Sequence, residues 1–171
     1  METANLLLDA FGRIRDLTHD VVDGLGPGQL TARVDDRANT IAWLVWHLSR
    51  VQDDHIAEVA QVEQAWTTGS WVEQFGLPFE PSATGYGHSA DDVAAVRVES
   101  GELLSGYHDA VHQNTVKYLQ HLSGDDLDRI VDASWEPPVT LGMRLVSVIS
   151  DDLQHLGQAA FLRGLLERMA D

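Results

Sequence analysis

Four long stretches of this chain repeat their apolar residues at intervals of three and four, and no stretch shows a convincing strand pattern. This constrains the fold more than any other feature. Each stretch makes a helix with one apolar stripe, and such a stripe is stable only when buried against another helix. The first runs from about Thr3, a candidate cap, to Val22, with Leu7, Phe11, Ile14 and Val21 in register. Gly24, Gly26, Pro27 and Gly28 end it, and residues 29–38 read as a polar loop with room for one helical turn. The second runs from about Ile41 to Trp66 behind a cap at Asn39 or Thr40. The third runs from about Ala90 to Leu122, opened by a capping box at Ser89 and Asp92, weakened by Gly101 and Gly106, and stopped near Gly124. The fourth runs from about Leu141 to Met169, capped by Thr140, after Pro137 and Pro138 have ruled out a helix just before it. The prediction is an all-α four-helix bundle, one domain over residues 1–171, with a long crossover between the second and third helices. That crossover, residues 67–90, carries Trp71, Phe75, Phe79 and Tyr86 and so reads as packed; it can also wall a pocket. One helical turn fits at residues 70–74.

The apolar stripes contain intruders. On the fourth helix Asp151 and His155 are four residues apart, so they share a face with Val148, Ala159 and Leu162. Burying such groups without partners costs roughly 1–3 kcal/mol each. On the second helix His47 lies on the face of Trp43, Leu44 and Val51, with Asp54 two turns further on. Taken alone, His47 also reads as a buried histidine bonded to a neighbouring carboxylate. Taken with Asp151 and His155, it completes a set of two imidazoles and one carboxylate. Bundle cores build metal sites from side chains on facing helices, and three protein ligands with an open position suit a catalytic zinc. Iron(II), manganese and nickel accept the same set. A second pair, His108 and His112, has the same spacing on the third helix. Asp109 and Gln113 beside it suggest a solvated face, and no third ligand is evident.

Charge narrows the partners. The formal net charge of −16 is shared evenly, −8 in residues 1–85 and −8 in residues 86–171. No basic cluster offers itself to nucleic acid or to an anionic membrane surface. There is no cysteine, which excludes disulfides, thiolate ligands and a cysteine nucleophile, so any sulfur chemistry needs an external thiol. No apolar run approaches the length of a membrane span, and the chain is expected to be soluble and cytoplasmic.

Two segments, Asn39–Leu48 around His47 and Asp151–Gln158 with its Asp-x-x-x-His and Gly-Gln pattern, resemble the DinB-like superfamily of four-helix metalloproteins. Within it the chain is most similar to the mycothiol- and bacillithiol-dependent S-transferase branch, which includes maleylpyruvate isomerase-like enzymes. The likeness covers nearly the whole chain. It implies a divalent metal held by His47, Asp151 and His155, and a low-molecular-weight thiol such as mycothiol as co-substrate. The related enzymes carry Glu or His where this chain has Asp151. Asp is one methylene shorter than Glu, so the metal would have to sit closer to the fourth helix or be held more weakly. The function implied is metal-dependent transfer of the thiol to a small electrophile. The alternatives are hydrolysis by a metal-activated water on the same site, and a non-catalytic stress-linked metal-binding protein. Asp54 is a candidate second-layer acceptor for a ligand histidine, and Arg50 or Arg144 are candidates to orient a substrate carboxylate. Family likeness also implies that a homodimer is plausible.

Overall fold

The computed structural model describes residues 3–170. Helix α1 (Thr3–Val22) and a single turn, α2 (Pro27–Leu30), lead into α3 (Ile41–Ala60). The crossover holds α4 (Ala65–Thr68) and α5 (Trp71–Phe75), and is followed by α6 (Ala90–Ala95) and α7 (Gly101–Leu119). A 3-10 turn at Asp125–Asp128 and a ribbon of β1 (Ile130–Asp132) and β2 (Val139–Thr140) precede α8 (Leu141–Ala170). The four long helices form the predicted bundle: α1 and α3 each pack along both α7 and α8 and barely touch each other. Phe11, Ile14, Ile41, Leu44, Leu48, Leu104, Leu119, Leu141 and Leu145 fill the space between them. No helix among the described residues is long and apolar enough to cross a membrane.

Two predicted helices are shorter than their apolar periods suggest, and each has an identifiable stop. The second was expected to reach Trp66. It ends at Ala60 because Gln61 turns left-handed, with φ of 57°. Buried Asp53 then accepts hydrogen bonds from the Ala65 and Trp66 backbone amides at 2.9 and 2.8 Å, capping α4 against the flank of α3. The third was expected to be continuous from Ala90. It breaks after Ala95, and Val96 and Val98 plug the core from an extended segment. Gly101 is therefore the first residue of α7, not a weak point inside it. A Cβ there would run into the carbonyl oxygen of Val22, so glycine permits the close approach of α7 to the end of α1. Thr3, expected as a cap, is helical in α1. The predicted caps at Thr40, Ser89 and Thr140 are present, with bonds to the amides of Trp43, Asp92 and Met143. The ribbon was not expected, because strands of two and three residues are too short to show alternation.

The crossover is clasped to the bundle by Arg50. Its guanidinium, fully buried, donates to the carbonyls of Ala83 and Pro81, to Gln64 Oε1 and to the Tyr107 hydroxyl, and lies over the Trp66 ring. Asp53 stands 3.7 Å away as its counter-charge. Removing such an arginine would leave four acceptors unpaired in the interior, which is why it is a bolt and not a surface charge.

Candidate metal centre

Antiparallel packing of α3 on α8 decides which polar side chains meet. His47 on α3 faces His155 on α8, with ring centroids 4.8 Å apart and edge to face, while His55, two turns further along α3, meets Arg144. Asp151 lies one turn before His155. One donor atom from each of His47, Asp151 and His155 falls within 4.8 Å of the others, the one such group of three among the described residues.

Each imidazole is held by its outer nitrogen. The His47 Nδ1–H donates to the carbonyl of Thr84 at 2.6 Å, and the His155 Nδ1–H donates to the carbonyl of Asp151 at 2.8 Å. These bonds select the tautomer in which Nε2 carries the lone pair, the usual way a second layer prepares a ligating histidine. Trp43 stacks on His47 with centroids 4.5 Å apart and 14° between planes, fixing the ring from its other face. Burial pushes the His47 pKa down, against the opposing pull of the Thr84 carbonyl, so the ring is neutral at physiological pH and able to ligate.

Asp151 Oδ2 is buried and has no hydrogen-bond partner. Its 3.4 Å approach to His155 Nδ1 is not a hydrogen bond, because that N–H is already spent on the backbone. Two bare imidazole nitrogens beside one unpartnered carboxylate oxygen are what a divalent cation of the zinc type would satisfy, so the residues fit such an ion.

His47 and Asp151 of the triad open on a cavity of about 520 Å³ lined also by Val51, Asp54, His55, Thr84, Tyr86, Trp135, Ser147 and Val148. Tyr86 from the crossover and Trp135 from the hairpin loop stand exposed at its mouth. Sequence reasoning missed His55, Trp135 and the part of the Thr84 carbonyl, whereas the crossover was expected to be able to wall a pocket and does so through Thr84 and Tyr86. The Gly85-Tyr86-Gly87 run was the available sign that the crossover makes a tight approach there. Gly85 has φ of +94°, and a Cβ on it would stand 2.6 Å from His47 Nδ1.

Other expectations are redistributed. The acceptor for His47 is the Thr84 carbonyl, not Asp54, whose carboxylate accepts from Gln64 Nε2 at 2.7 Å. Arg50 is occupied by the crossover. Arg144 donates to His55 Nδ1 at 2.7 Å and pairs with Asp132 at 3.5 Å, and neither arginine lines the cavity. The solvated face expected for His108 and His112 is wrong. His108 is fully buried in the seam of α7 with α3, its Nδ1–H donating to Ser49 Oγ at 3.0 Å, while His112 is half-buried. Asp109, beside His108 and half-buried, accepts from Arg15 and His19 on α1. Asp152, beside the triad, is also fully buried, with both carboxylate oxygens unpartnered.

A family model described as mycothiol-S-transferase matches residues 6–168. The chain is 28% identical to a conserved protein from Enterococcus faecalis whose crystal structure superposes with a TM-score of 0.88, over 95% of this chain and 96% of that one. No curated protein matches.

Proposed function

We propose, given that the chain belongs to the mycothiol S-transferase family, that it transfers a low-molecular-weight thiol of the mycothiol type to a small electrophile, with a divalent metal held by His47, Asp151 and His155. The observation that carries this reading is the occupation of both imidazole Nδ1 atoms by carbonyls beside the unpartnered Asp151 Oδ2. The donor set favours zinc, with nickel, manganese and iron as alternatives. When bound, the cation would supply a Lewis acid that lowers the pKa of an incoming thiol.

The protein's own contribution is position and exclusion. Thr84 and Trp43 fix His47, the Asp151 carbonyl fixes His155, and Val51 and Val148 give the cavity dry walls beside the ligands. In the transfer, sulfur loses its proton to solvent and bonds to carbon, while the electrophile's leaving group departs or a conjugated bond takes up the charge. The absence of cysteine in the chain is consistent with a thiol that comes from outside. A cytoplasmic setting and partners limited to small molecules belong to this reading. So does a homodimer, supported by an exposed apolar row on α8 of Met143, Val146, Leu153 and Phe161.

The test is metal analysis of untagged protein beside His47→Ala and His155→Ala. The parent is expected to carry about one divalent ion per chain and both variants far less. Equal metal content in all three would overturn the site. Turnover of an alkyl halide by the loaded protein should rise with added mycothiol. A rate indifferent to any thiol would reject transfer and favour hydrolysis.

A further inference from the structure

The cavity beside the triad presents one sign of charge. Two carboxylates, Asp54 and Asp151, line it, and no Lys or Arg does. The two arginines placed to reach it are committed elsewhere. Arg50 is wholly buried against the crossover carbonyls. Arg144, with 14% of its side chain exposed, is held by His55 at 2.7 Å, Asp132 at 3.5 Å and Glu58 at 4.0 Å. His55 accepts the Arg144 N–H, and burial and that guanidinium both lower its pKa, so it brings no positive charge into the cavity at neutral pH.

Asp54 is fixed in place. Gln64 Nε2 donates to its Oδ1 at 2.7 Å, and Gln64 in turn accepts from Arg50 at 2.9 Å. At the mouth, Tyr86 is 93% and Trp135 66% exposed, and their ring faces attract cations. A divalent ion on the triad would be neutralised by Asp151 and a bound thiolate together. Asp54 is then the surplus charge that an arriving electrophile meets.

We propose that this cavity admits neutral and cationic electrophiles and disfavours anionic ones, with Asp54 as the residue that sets the preference. The inference rests on the transferase reading and narrows its substrate class. It also removes the carboxylate-bearing substrate that Arg50 or Arg144 seemed, from sequence, able to hold.

The test uses metal-loaded protein and probes that differ only in the end of a common spacer: trimethylammonium, hydroxyl or carboxylate. Unreactive acetamides report binding through tryptophan fluorescence, and the matching chloroacetamides report kcat/KM with mycothiol, each corrected for its uncatalysed rate. The ammonium probe is expected to bind and react about fivefold or more better than the carboxylate probe at low salt, as one like against one unlike charge contact at a partly exposed site implies. Asp54→Asn keeps an acceptor for Gln64 and should bring that ratio toward one, as should high salt in the parent. A carboxylate probe that binds the parent as well as the ammonium probe overturns the proposal, as does a ratio that Asp54→Asn leaves unchanged. If no chloroacetamide reacts faster with protein and thiol together, the transferase reading fails, while the acetamide binding ratios still decide the charge preference.

Discussion

Gly85 carries more of the site than its size suggests. Its positive φ turns the crossover so that the preceding carbonyl, Thr84 O, meets His47, and its missing Cβ leaves room for that ring. Gly85→Ala is expected to lower metal affinity about 10–100-fold, the range seen when a second-layer partner of a ligand is disturbed. The same Cβ would stand 3.0 Å from the buried Trp46 ring, so helix content is followed as the control for folding. Competition with a chelator, beside circular dichroism, measures this, and an affinity equal to the parent's would show that the Thr84 carbonyl does not prepare His47. At this scale the candidate ligands were legible in the sequence and their support was not. His47, Asp151 and His155 stand out because each interrupts an apolar stripe. A backbone carbonyl belongs to every residue and marks none, and Trp135 lies in an irregular loop whose course no periodicity predicts.

Helix α7 shows where the periodic pattern misleads. A histidine flanked by Asp109 and Gln113 reads as surface, yet the face that looks inward is set by the packing of α7 between α1 and α3. His108 is held uncharged by burial, its pKa falling from 6.5 to about 3. The unfolded chain therefore binds a proton that the folded chain refuses. Stability from this residue is whole above pH 6.5 and declines as the pH falls from 6.5 toward 3, at up to about 1.4 kcal/mol per pH unit. In urea unfolding, His108→Gln should destabilise the protein at pH 7 by more than it does at pH 4.5. A gap between parent and variant that stays constant over that range would contradict the assignment. The element boundaries missed in sequence are marked by no periodicity. The left-handed Gln61 stops α3, Asp53 caps α4 from 12 and 13 residues back along the chain, and the carbonyl of Val22 leaves room only for glycine where α7 begins. Caps made by neighbouring residues, such as Thr40 and Ser89, were readable because their partners lie three residues away.

On the scale of the whole molecule, the bundle and its crossover were legible because four apolar stripes admit few arrangements. The outward row on α8 is not marked off from the inward one in the sequence: Phe161 adjoins the core residue Leu162, yet it is 68% exposed. If α8 faces a second copy, light scattering should give twice the chain mass, and Leu153→Lys with Phe161→Lys should halve it without loss of helix. A parent that scatters as a monomer at high concentration would remove the homodimer. The division of labour around the cavity has a further consequence. The three candidate ligands sit on α3 and α8, which are held by the core, whereas Tyr86 and Trp135 at the entrance belong to two separate loops. Loops of this kind can change in length and composition without disturbing the core. Relatives sharing this scaffold can therefore diverge in what they accept while inheriting the same chemistry, and grafting the two loops between them is the natural route to exchanging their substrate ranges.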